Sequence, residues 1–232
     1  GNYSRAIGYY KEYMKGYGQK PAKTVETAFI IAKLNEKLNR KKKAKEWYIK
    51  TAATQRNFKK KGKVVGVRFA AEASFKLIYE KTYKELIAIR IKGNPRSQKK
   101  AVDRKFALIE QLKRDLQTVI AYDDGPQVVS ALTLLGQAYQ HMAAAIYATP
   151  IPKGLKGDDL AAYKKGVAGI AKPIQDNAVE TYKSAIEKGF RLQGYNVWLK
   201  TALKELSKLD PSLYPGYGEK VFLTKLPDSM GI

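Results

Sequence analysis

Tyr3, Ala6, Tyr10 and Tyr13 recur at i, i+3, i+7 and i+10 in the opening segment, with Arg5, Lys11 and Glu12 off that line. This is one stripe of an amphipathic helix. Apolar positions in AFIIAKLNEKL, residues 28–38, predict a second helix, and Ala44, Trp47, Tyr48 and Thr51 mark a third beyond a basic turn. These two predict a helical hairpin. Helical stretches of less regular spacing follow over roughly 66–92 and 97–122, the latter ended by an Asp-Asp-Gly-Pro turn at 123–126. Further helical patterns run over 131–139, 177–189 and 196–211, with a TPIPKGL connector at 149–155. Strand signals are weak, because Val64, Val65 and Val67 form a short run interrupted by Gly66. The pattern predicts an all-α chain.

Ala6 and Ala44 lie 38 residues apart, as do Tyr10 and Tyr48, close to the period of about 34 residues in tetratricopeptide repeats. The residues resemble that family, which places small residues where paired helices cross and aromatic residues where they wedge apart. Residues 28–51 resemble one complete unit, with Ala28, Ile31 and Ala32 on the first helix and Ala44, Tyr48 and Thr51 on the second. Asn35 departs from the pattern, where the family prefers Tyr. Leu132, Leu135, Gly136 and Tyr139 match a first helix, and Ala178, Tyr182 and Ala185 match a second. Trp198, Ala202 and Pro211 give a third, partial match.

The resemblance implies a TPR-like α-solenoid of stacked antiparallel helix pairs over residues 1–212. Residues 213–232, with two Pro and three Gly, read as an extended tail placed to cap the last apolar face. Because YSRAIGYYKEYM resembles a second helix, the expectation is a fragment of a longer array. The order of segments over 66–212 is similar to the C-terminal part of TPR proteins in deltaproteobacterial envelopes, including those of the myxobacterial gliding-motility machinery. That similarity implies a periplasmic or envelope-associated setting, with the cytoplasm as the alternative.

Charge changes this picture. The 232 residues carry a formal net charge of +23, and residues 1–120 hold 31 Lys and Arg against 10 Asp and Glu, while residues 121–232 hold 13 against 11. A field this strong and this uneven favours anionic partners. With no cysteine, the chain has no disulfide, thiolate metal site or Cys nucleophile. His141 is the single histidine, so a transition-metal site would consist almost wholly of carboxylates, and the expectation is no metal and no cofactor.

The acidic pairs Asp123/Asp124 and Asp158/Asp159 could act as acid and base, but a turn and a helix start favour capping. Gly66 is followed by Val67 and Arg68 and so lacks the Lys-Ser/Thr ending of a phosphate loop. Lys59 to Lys63 then read as a connector between hairpins. Tyr9, Tyr10, Tyr13 and Tyr17, interleaved with Lys11 and Lys15, could form a base-stacking platform. Their helical spacing favours burial between helices. Arg40, Lys41, Lys42, Lys43 and Lys45 form a basic patch at a solvated hairpin turn.

The sharper expectation concerns the inner face of the first helices. TPR-type repeats bind extended or helical peptides there. In this register the face carries Phe29, Lys33, Glu36, Lys37, Arg68 and Lys76, a positive set suited to an acidic protein segment. The expected function is a non-enzymatic interaction scaffold whose basic N-terminal groove takes acidic protein partners. Direct binding of nucleic acid or another polyanion is the alternative.

Overall fold

A computed structural model describes residues 2–17, 20–62 and 64–212. The expectation for the tail at 213–232 lies outside the described residues. Within them the chain is all-helical, with no strand: α1 (Tyr3–Tyr17), α2 (Pro21–Lys37), α3 (Lys41–Lys60), α4 (Val67–Ile78), a π turn (Tyr79–Tyr83), α5 (Lys84–Ala88), α6 (Pro95–Ile120), α7 (Gly125–Tyr147), α8 (Gly157–Arg191) and α9 (Val197–Leu209). No described helix is long and apolar enough to cross a membrane.

Successive helices pack on one another, α1 on α2, α2 on α3, α3 on α4, α6 on α7, α7 on α8 and α8 on α9. Short connectors force neighbours to run back along each other. Longer-range pairings, among them α2 with α4, α4 with α7 and α7 with α9, bring non-consecutive helices side by side.

Three apolar clusters result. Phe29, Ala32, Ala44, Tyr48 and Ala73 join α2, α3 and α4. A central cluster, including Phe75, Leu86, Leu112, Leu134 and Met142, joins α4 through α8. Ala178, Tyr182, Ala185, Ala202 and Leu206 join α8 to α9.

The helix boundaries have local causes. Asn94 caps α6, its side chain accepting the Ser97 amide at 2.9 Å with Pro95 at the first helical position. Asp124 caps α7 through the Gln127 amide, so the acidic turn is a capping element as its context predicts. Asp158 and Asp159 fall in the first turn of α8, the positive end of its dipole. Gly66 has φ of +67°, and a Cβ there would sit 2.6 Å from the Val25 Cβ, so the bend into α4 requires glycine on both counts.

Two expectations need correction. The helix over 66–92 ends at Ala88, because Ile89 turns extended and both Ile89 and Ile91 pack on the central cluster. Extended backbone puts alternate residues on one side, which a helix would not do. The α1 tyrosines whose side chains are described are not fully buried either. Among the described side chains of that helix Ile7 alone is buried, Tyr10 and Tyr13 are half-buried, and Tyr9 is 64% exposed. Helix α1 packs mainly against α2, which leaves Tyr9 on the open side. The side chain of Tyr17 lies outside the described residues.

Candidate interaction groove

On α4, positions i, i+4 and i+8 put Arg68, Glu72 and Lys76 along one stripe. Beside it runs α2, and charges alternate across the seam. Lys33 Nζ reaches Glu72 at 3.4 Å, and Lys76 Nζ reaches Glu36 at 3.1 Å. Exposed pairs of this kind contribute about 0.2–1 kcal/mol each, so the ladder sets register more than stability. Arg68 is exposed and has no ion pair among the described residues.

This stripe is one wall of a groove enclosing about 430 Å³. Phe75, Tyr79 and Trp198 are aromatic members of its lining, and the starts of α7 and α9 supply Gln127, Ser130, Tyr195 and Asn196. The Phe75 and Trp198 rings meet edge to face at 5.2 Å, and Tyr79 meets Trp198 at 6.3 Å. Such pairs add about 0.5–1.5 kcal/mol beyond the burial of their area.

Asn196 fixes the far wall. Its Nδ2 donates to the Pro126 carbonyl at 2.7 Å and to Ser130 Oγ at 3.2 Å, and its Oδ1 accepts the Trp198 and Leu199 amides. One side chain thus caps α9 and ties it to α7.

Of the six residues expected on this face, Lys33, Arg68 and Lys76 are brought together in the groove. Phe29 is not there. It is 7% exposed and packs with Tyr48 and Phe69, because an apolar ring at the α2–α3–α4 junction gains more from burial than from an open wall. Lys37 leans over the Tyr3 ring of α1 at 5.1 Å. Glu36 accepts the Tyr48 hydroxyl at 2.8 Å. It lines a second, smaller cavity near the α2–α3 turn.

Burial, and then the hydrogen bond to Glu36, holds the Tyr48 phenol neutral far above the ordinary tyrosine range. The far wall came from residues some 120 positions downstream, which no local spacing could connect to α4. Trp198 was legible only as a helix-packing aromatic.

Lys105 is the other surprise. It is fully buried, and its Nζ donates to the Leu86 carbonyl at 2.8 Å and lies 3.3 Å from His141 Nδ1. Helix α5 ends at Ala88, so the Leu86 carbonyl lacks a helical partner and the lysine supplies one. Desolvation lowers the Lys105 pKa to about 8. Burial, and then the neighbouring ammonium, lowers that of half-buried His141. Among the described residues no three His, Asp or Glu side chains converge as a metal-ligand set. No family model matches the chain, no curated protein is measurably similar to it, and no solved structure matches it.

Proposed function

We propose that the chain is a non-enzymatic protein-interaction scaffold of TPR-like architecture, and that the groove between α4 and the starts of α7 and α9 takes an acidic, partly apolar protein segment. The observation that carries this reading is Arg68, a guanidinium without an ion partner among the described residues, at the rim of an aromatic-lined groove. A carboxylate-bearing peptide would supply its missing partner through a planar, bidentate contact while apolar side chains lie against Phe75, Tyr79 and Trp198.

The TPR-like part of the proposal rests on a repeated constellation. In the α2–α3 hairpin, Ala32 and Ala44 are buried and Tyr48 bonds Glu36. In the α7–α8 hairpin, Gly136 and Ala178 are buried and Tyr182 bonds Gln140 at 2.6 Å. Both bonds join a second-helix tyrosine to an acceptor four residues past the small first-helix residue. The setting in a larger assembly of a Gram-negative envelope belongs to the same proposal and follows from the sequence resemblance alone.

Fluorescence anisotropy with a labelled acidic decapeptide containing leucine, compared with single-stranded DNA at two salt concentrations, tests the function. Arg68→Glu with Lys33→Glu should weaken the peptide roughly tenfold or more. Unchanged peptide affinity rejects the groove. A steep log-linear salt loss on DNA, with peptide binding absent, favours the polyanion alternative instead.

A further inference from the structure

The basic patch at the α2–α3 turn does more than face solvent. A cavity of about 320 Å³ opens where this turn meets the π turn, and five lysines line it: Lys41 and Lys45 of α3, Lys76 of α4, Lys81 of the π turn and Lys84 of α5. Glu36 and Glu80 are the carboxylates of the lining, and both are already engaged. Glu36 holds Tyr48 and Lys76, and Glu80 holds Lys84 at 2.6 Å and Lys76 at 3.8 Å. Lys41, Lys45 and Lys81 are exposed and have no ion pair among the described residues. Three uncompensated ammonium groups therefore surround one cavity.

Two local features sharpen this arrangement. Helix α3 starts without a side-chain cap and with Lys41, Lys42 and Lys43 in its first turn, so cations crowd the positive end of its dipole. That placement is unfavourable until an anion joins it. The π turn widens the helix locally so that Glu80, Lys81 and Lys84 line the cavity together. Such turns recur at functional sites because they re-aim side chains at a cost in helix geometry.

We propose that this cavity binds a free, compact anion carrying several phosphate groups. Its cations are all ammonium groups, which take phosphate as point charges, whereas a guanidinium fork suits a planar carboxylate. The contrast with the groove, which carries Arg68, separates the two sites chemically. A single carboxylate would leave two of the three free lysines uncompensated, and the cavity is of small-ligand size.

Titration calorimetry of the full chain with sodium tripolyphosphate, at constant ionic strength, tests the site. One saturable site per chain is expected. The variant Lys41→Gln, Lys45→Gln, Lys81→Gln should bind roughly tenfold or more weakly. The variant Lys99→Gln, Lys100→Gln, Lys113→Gln removes the same charge from exposed positions of α6 and should stay within about twofold of the original, since it alters only the long-range field. Arg68→Gln should also leave tripolyphosphate binding intact. All six lysines are exposed, so the helical circular-dichroism signal should be the same in each variant. Equal weakening in the two triple variants, several equivalent sites per chain, loss on Arg68→Gln, or no saturable heat would each overturn the proposal.

Discussion

The α2–α3 and α7–α8 hairpins solve the same packing problem with different chemistry. In both, a tyrosine from the second helix is buried to within 3% of its surface and reaches across to a polar group on the first. The C-terminal acceptor is the neutral amide Gln140, itself donating to Glu205 of α9. The N-terminal acceptor is the carboxylate Glu36, itself paired with Lys76 of α4. Each hairpin is thereby linked to the next helix, one through a neutral amide that meets a carboxylate and the other through an ion pair. The lesson is that the strongly basic half does not lack a core; the seam between its hairpins is joined by ion pairs, and further cations stay exposed around it.

The sharpest test of that comparison is steric. A Cβ at Gly136 would sit 2.7 Å from the Tyr182 ring, so α7 and α8 approach as closely as they do only because the side chain is missing. Gly136→Leu should destabilise the fold by about 3 kcal/mol through overpacking, read as a lower denaturant midpoint. Ala32→Gly, at the matching place in the α2–α3 hairpin, should cost about 1 kcal/mol, mostly from helix propensity. A larger loss at Ala32 would show that the two crossings are not alike.

Removing the phenol oxygens comes next in size. Tyr182→Phe strips a hydrogen bond from half-buried Gln140 and should cost about 1 kcal/mol or slightly more. Tyr48→Phe should cost less, because Glu36 keeps Lys76 as a partner. The same variants carry a pH signature. Burial raises the pKa of both phenols above the ordinary tyrosine value of 10.0, so the unfolded chain loses these protons first, and stability present below pH 10 is lost as the pH rises beyond it. Each Tyr→Phe change should flatten part of that fall in pH-dependent chemical denaturation.

Lys105 acts with the opposite sign. Its pKa falls from 10.5 to about 8, so between those values the unfolded chain binds more protons and stability rises with pH. Lys105→Met should abolish that rise. A rise that persists unchanged in the variant would assign it to the general loss of positive charge.

Much of the helical order was legible because small and aromatic residues recur at the spacing that helix crossing demands. Ala44, Tyr48, Ala178, Tyr182, Ala185 and Ala202 are all buried at 3% or less, as that spacing implies. The extent of α2 and α8 was less legible. Pro21 to Thr27 and Asp158 to Asp176 carry interrupted stripes, and a helix can be held by its neighbours without a periodic face of its own. Lys105 could not be read at all: in a lysine-rich helix nothing local marks the one ammonium that turns inward, because its partner is a carbonyl orphaned 19 residues earlier. Of the groove, the cationic wall was legible from α2 and α4, and the aromatic lining was not. Phe29 was misplaced for a related reason, since its burial depends on Phe69 arriving from α4.

The smallest effect tests whether the N-terminal seam is electrostatic. Lys33 and Glu72 are 48% and 33% exposed, so water screens their attraction and about 0.5 kcal/mol is expected from the pair. A double-mutant cycle with Lys33→Gln and Glu72→Gln should return that coupling at low salt and almost none at about 1 M salt, where the Debye length shrinks to about 3 Å. A cycle on Gln140 and Glu205, where the carboxylate meets an amide at 3.0 Å and is largely covered, should keep its coupling under the same salt. If both couplings fade alike, the seams differ only in the identity of their residues. If only the first fades, the N-terminal seam is the one that ionic strength, or an incoming acidic segment competing for Lys33, can loosen.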